Sequence, residues 1–258
     1  MAYKKLKLWF DKDLAIMLSE KIKQVEPNFN QNQFVLNIDK KTKKLELKDR
    51  IEVIADELHD GLGKDFKQAI AILMDILGAE NQEETGMFTE FYWLMPIAKY
   101  VEKYGLSNFE ESMNALEEIT KRNTSEYAIR PFIEEHFDKT MQQLAKWSKN
   151  KNSHVRRLSS EGPRPRLPWA KKLDVFIQDP TPILPILNHL KDDPSKYVQK
   201  SVANCINDIL KDNYLVGKEL LEDWKAEEIG KERKWIIKHA LRNFIKANNS
   251  WAKDMVKP

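Results

Sequence analysis

Apolar residues recur at helical spacing along almost the whole chain. Val198, Val202, Cys205 and Ile209 form an i, i+4, i+7, i+11 stripe, and Ile236, Ala240 and Phe244 form another with Ile237 and Leu241 beside it. Ile51, Ala55 and Leu58 mark an earlier helix, and Ala69, Leu73 and Ile76 the next. Gly78, Gly105, Gly162 and Gly217 stand where helices would stop. The one stretch open to a second reading is Gln33 to Leu47, where Phe34-Val35-Leu36-Asn37-Ile38 could form a strand. Its isolation among helices argues against that, and the expected class is all-α.

The second half carries a degenerate repeat. Tyr127-Ala128-Ile129-Arg130, His154-Val155-Arg156-Arg157, Tyr197-Val198-Gln199-Lys200 and Trp235-Ile236-Ile237-Lys238 each read ring, apolar, variable, cation. Amphipathic segments such as Thr140–Trp147 and Ile183–Leu190 lie between them. Helix pairs with a basic residue early in one member predict a HEAT-like repeat α-solenoid with a concave binding face. No Gly- or Ser-rich linker interrupts the pattern, so a single domain over residues 1–258 is expected.

Composition narrows the function. Only 8 glycines occur in 258 residues, which disfavours a turn-rich β fold. No run approaches the roughly 18 apolar residues of a membrane span. The start, Met1-Ala2-Tyr3-Lys4-Lys5-Leu6, lacks the apolar core of a secretory signal. The single cysteine excludes an intrachain disulfide framework, and its place on an apolar stripe makes Cys205 a core thiol. The five histidines show no metal-ligand spacing, so neither metal nor cofactor is expected. A soluble cytoplasmic monomer is the default. Residues 1–120 hold 16 Lys+Arg against 22 Asp+Glu, a balance of −6; residues 121–258 hold 27 against 18, a balance of +9. A basic second half suits a polyanionic partner, although a solvated asymmetry would look the same.

Residues His154 to Trp169 hold the densest chemistry: four arginines, three prolines, one carboxylate and one tryptophan in sixteen residues. A helix from an N-cap at Ser153 to Gly162 would place Glu161 in its last turn, facing the negative end of the helix dipole. That placement points to a functional demand or to a salt bridge with Arg157, Arg164 or Arg166. The prolines make the remainder a rigid, non-helical connection. Trp169, at its end, is either a packing anchor or a ring offered to a sugar or base. Lys200, Asn204, Asp208 and Lys211 share one face of a helix, where Asp208 could be functional or merely ion-paired. Glu126 precedes Arg130 by four residues, the order of a simple helix-start pair. Lys234, Lys238, Arg242 and Lys246 recur every four residues, a basic stripe that fits a phosphate backbone or plain solvation.

These residues resemble a known family. His154–Trp169 closely resembles the HVRRLxSEGxRPRLPW signature of the AlkC branch of bacterial DNA alkylation repair glycosylases, within the AlkC/AlkD HEAT-like superfamily. Ser201–Asp212 resembles that family's SVANxxNDIxKD segment, and Glu126–Phe132 its EFAIRPF segment. Asp193-Pro194-Ser195 and Arg233-Lys234-Trp235 also fall where the family has similar residues. The chain departs from the pattern at Asn213-Tyr214, where His-Pro is more usual, and the C-terminal immunoglobulin-like domain of some members is not expected here.

The resemblance implies a HEAT-like fold and DNA N-glycosylase activity on cationic bases such as N3-methyladenine and N3-methylcytosine in duplex DNA. It implies a carboxylate cluster beside an aromatic, which maps onto Glu126, Glu161, Asp208 and Trp169. Arg156, Arg157, Arg164, Arg166, Lys200, Lys234, Lys238, Arg242 and Lys246 are the cations expected to offset phosphate repulsion. No lysine nucleophile is required, so the enzyme is expected to be monofunctional. Two competing readings are a non-catalytic HEAT-repeat adaptor for DNA or protein, and an inactive lesion sensor.

Overall fold

The computed structural model describes residues 4–85, 88–226 and 228–257, and every regular element among them is helical. The helices group into two compact units, Met1–Pro131 and Phe132–Pro258. The first contains α1 (Lys12–Val25), α2 (Gln31–Thr42), α3 (Leu47–Leu62), α4 (Phe66–Asp75), α5 (Phe88–Phe91), α6 (Met95–Tyr104) and α7 (Phe109–Thr120). Short α8 (Arg130–Glu135) leads into the second. There follow α9 (Phe137–Trp147), α10 (Ser153–Glu161), α11 (Asp174–Gln178), α12 (Leu184–Leu190), α13 (Lys196–Asp212), α14 (Tyr214–Ala226), α15 (Lys231–Ala240), α16 (Arg242–Lys246) and α17 (Ser250–Met255). No helix among the described residues is long and apolar enough to cross a membrane. Residues 1–3, on which part of the signal-peptide expectation rests, lie outside the described residues.

The stretch open to a strand reading is α2. The Asn30 side chain accepts a hydrogen bond from the Gln33 backbone N–H at 3.2 Å and starts the helix. Phe34 and Ile38, one turn apart, are then buried on the same face. A strand would have sent its alternate residues to opposite sides with no partner strand to satisfy its backbone.

In the second unit α9 packs on α10 and α12 on α13, α14 folds back onto α13, and α10, α13 and α15 lie side by side in that order. The α13 stripe is the centre of this core: Val198, Val202, Cys205 and Ile209 are fully buried. Burying each such side chain contributes about 1.5–3 kcal/mol. Burial also pushes the Cys205 thiol well above its ordinary pKa, the state of an inert core thiol.

The helix boundaries depart from expectation at two points. The N-cap of α10 is Asn152, not Ser153; its side chain accepts from His154 N at 2.9 Å and Val155 N at 3.4 Å. Gly217 does not stop a helix but lies inside α14. A Cβ there would sit 2.8 Å from Leu210 Cδ2, so the glycine lets α14 close onto α13. Gly105 and Gly162 do cap α6 and α10, and Gly78 follows α4 with a positive φ of 74°. Gly162 keeps helical angles immediately before Pro163, a conformation that a following proline disfavours for residues bearing a Cβ.

Candidate functional site

The α10–α13 seam brings Glu161 and Asp208 together through one arginine. Arg164 follows the end of α10 between Pro163 and Pro165, whose rings fix its backbone. Its guanidinium turns inward. Arg164 Nη1 donates to Glu161 Oε1 at 2.7 Å, while Nε and Nη2 reach Asp208 Oδ2 at 2.9 and 2.8 Å. The far oxygen of Asp208 accepts from Lys211 Nζ at 3.0 Å. Arg157 lies 3.6 Å from Glu161 on the other side. Glu161, Arg164 and Asp208 are only 5, 7 and 1 % exposed.

The seam is narrow because it is lined by small residues. Ser160 Oγ and Ser201 Oγ lie 2.7 Å apart across it. Burial by itself would raise the Glu161 carboxyl. The Arg157 and Arg164 charges, with hydrogen bonds from Ser201 and Arg164, outweigh burial and hold it below the ordinary carboxylate value. A carboxylate at the negative end of a helix is thus stabilised by cations supplied from the loop and the previous turn.

Trp169 ends the proline loop in a left-handed backbone conformation, φ 63°, with its side chain 75 % exposed. A non-glycine residue held there costs on the order of 1 kcal/mol or more, which concentrates at functional positions. Its ring does not serve as a core anchor. Glu126 belongs to the first unit, in the turn before α8, and its Oε2 accepts from Thr124 Oγ1 at 2.9 Å. It lies in the turn that leads into α8 rather than within the helix itself.

The cations expected to meet phosphate divide into two sets. Arg156, Arg164 and Arg166 are committed inside the protein. Arg156 Nε donates to Asp193 Oδ2 at 2.6 Å and its Nη1 to the carbonyls of Asn150 and Lys151. Asp193 in turn accepts from Ser195 N, so Arg156 ties α10 to the start of α13. Arg166 makes a two-pronged pair with Asp212 at 2.7 and 2.5 Å. Arg164 serves the two carboxylates. Arg157 also lies over the Tyr197 ring at 4.6 Å. By contrast, Lys200, Lys234, Lys238 and Lys246 are exposed, and Arg242 is half-buried without a carboxylate partner among the described residues.

Sequence reasoning left several neighbours unassigned. Asn204, one turn before Asp208, holds Arg242 Nη2 at 3.0 Å. The repeat's rings also line up across adjacent helices. His154 packs edge-on to Tyr197 at 5.3 Å, and Lys196 stands 3.3 Å over Trp235, which stacks on His239 at 4.7 Å. The repeat signalled one of these contacts: Arg157, a cation of the α10 unit, lies over Tyr197, the ring of the α13 unit. No cluster of His, Cys, Asp and Glu suited to a metal occurs among the described residues.

The family profile described as DNA alkylation repair enzyme matches residues 42–244. The uncharacterized protein YhaZ of Bacillus subtilis (strain 168) is 38 % identical over 248 residues, covering 96 % of this chain and 66 % of that protein. Among solved structures, the Pseudomonas fluorescens alkylpurine DNA glycosylase AlkC, bound to DNA containing an abasic site analogue, is similar with a TM-score of 0.89 and 33 % identity. That match covers 98 % of this chain and 68 % of the Pseudomonas chain. This chain spans about two thirds of the length of each relative.

Proposed function

The chain belongs to the DNA alkylation repair enzyme family, and on that premise we propose that it is a monofunctional DNA glycosylase, a hydrolase that releases cationic alkylated bases of the N3-methyladenine and N3-methylcytosine class from duplex DNA. The observation that carries this reading is the pair of buried carboxylates, Glu161 and Asp208, locked together by Arg164 near Arg242, whose hydrogen-bond partners are both neutral. The similarity to AlkC bound to abasic-site DNA supports the same partner and reaction.

The chemistry fits the residues. An alkylated base bearing a positive charge is already a good leaving group, so its departure needs little acid catalysis. What develops is positive charge on the deoxyribose, as in glycoside hydrolysis. Preorganised carboxylates near that sugar stabilise the cation and orient the attacking water. A buried ion cluster contributes little to stability over a well-packed apolar seam, so folding alone gives no reason for this one. Arg164 is the positioning residue that holds both carboxylates in place. The exposed Trp169 would pack against sugar or backbone.

Glu161→Gln and Asp208→Asn keep the shape of the cluster and remove one charge each. Each variant is expected to retain binding to methylated duplex and to lose at least 100-fold in base release, about 2.7 kcal/mol of transition-state stabilisation. The product strand should remain uncleaved until alkali is added. Normal base release by both variants would refute the assignment.

A further inference from the structure

We infer that Arg242, aimed by Asn204 and flanked by Lys238 and Lys246, forms a seat for one backbone phosphate within two nucleotides of the sugar addressed by Asp208. This rests on the glycosylase reading and adds a register to it: which side chains hold the strand, and where, relative to the carboxylates.

The seat is a cleft of about 340 Å³ lined by Trp235, Lys238, His239, Arg242, Ile245 and Lys246. It lies where α15 breaks into α16 at Leu241. Three of its six lining residues are cations and none is acidic. Its walls are fixed before any ligand arrives. His239 stacks on Trp235 with their planes 11° apart, and Lys196 covers the Trp235 ring. Arg242 is held at two points, Nη1 donating to the His239 carbonyl at 2.6 Å and Nη2 to Asn204 Oδ1 at 3.0 Å. Both anchors are neutral. Arg156, Arg166 and Arg233 are instead each held by a carboxylate. Arg242 keeps its positive charge uncompensated at short range while its direction is set, the arrangement that suits an incoming anion.

Electrostatics points the same way. His239 is held below its ordinary value by burial and by the charges of Arg242, Lys200 and Lys196. Arg242 is itself lowered, first by burial and then by Arg164, with Asp208 opposing. The cleft is therefore positive, and it is close enough to the carboxylate cluster to feel Asp208 and the Arg164 that bridges it.

The register follows from helix geometry. Asn204 and Asp208 are four residues apart on α13, about 6 Å along its axis. Successive phosphates of one strand advance about 3.4 Å along the duplex. For a strand running along α13, a phosphate seated against Arg242 is one or two steps from the nucleotide whose sugar lies at Asp208. Held there, the strand cannot slide the sugar away from the carboxylates.

The test uses methylated duplexes in which single phosphates near the lesion are replaced, one at a time, by uncharged methylphosphonate. With the wild-type chain, one position is expected to weaken binding about tenfold or more, the usual worth of a charged hydrogen bond. In Arg242→Ala that position should become insensitive while the others keep their effects; such non-additivity identifies the contact. Arg242→Lys should restore part of the sensitivity, since it keeps the charge but not the fork. Asn204→Ala should lower sensitivity at the same position alone. Exposed Lys246→Ala serves as a second variant unaffected by packing. Uniform effects at all phosphates, or additivity with Arg242→Ala, would overturn the seat while leaving base release intact. Loss of the glycosylase reading would show differently, as no base release from unmodified methylated duplex by the wild type.

Discussion

Arg164 shows how a single side chain can decide the state of its neighbours. It lies between two carboxylates that would otherwise repel in a site with little water. Arg164→Gln is expected to cost about 3–5 kcal/mol by denaturant titration, because it leaves buried charge unmatched. Arg164→Lys should recover part of that loss. The Glu161 carboxyl is depressed, so its contribution is present above the pKa of an unfolded carboxyl and disappears as the pH falls through its lower folded value. Base release should accordingly persist into acid, and Arg164→Lys should lose rate at a higher pH than wild type. A pH–rate profile with the same unchanged acid limb in both proteins would contradict the role. Glu161 could be singled out from sequence because a carboxylate is misplaced at the end of a helix. Arg164 could not be separated from Arg166, since both sit in the same proline-rich run and only the fold tells which one turns inward.

Helices were readable where one strong periodicity met a clear end signal. The α13 stripe is buried as its spacing implies, and the proline loop after α10 is irregular as its prolines require. Gly217 was misread because a glycine marks both a helix stop and a close approach between helices. Gly217→Ala tests the second meaning. Helix propensity alone would favour alanine by about 1 kcal/mol. The new methyl would meet Leu210 Cδ2 at 2.8 Å, so a net loss of about 1–2 kcal/mol is expected in thermal or denaturant unfolding. Leu210→Ala, combined with it, should cost less than the sum of the two separate changes. The cap at Asn152 was missed by one residue because Ser153 offers a similar side-chain oxygen; Asn152→Ala should cost about 1 kcal/mol.

Charge along the chain is lopsided, −6 over residues 1–120 and +9 over residues 121–258. The structure divides that excess into cations already used and cations available. If DNA is the partner, replacing Lys200, Lys238 and Lys246 together by alanine should reduce the slope of log affinity against log salt by about 3. Arg156→Ala should leave the slope alone and instead destabilise the fold by about 3 kcal/mol, since Asp193 loses its buried partner. An equal effect of both changes on the slope would show that ion pairing within the protein does not sort these residues. Helix content, the buried stripes and the acidic and basic residues with chemical potential were all present in the linear order, because each depends on spacing of a few residues or on composition. The division into two compact units was not, since it falls at a helical segment with no linker composition to mark it. Nor was the bridging of Glu161 to Asp208, or the choice of Arg242 over Arg164 as the available cation. Those depend on contacts between residues about forty positions apart, and on burial, which the packing of α10, α13 and α15 alone determines.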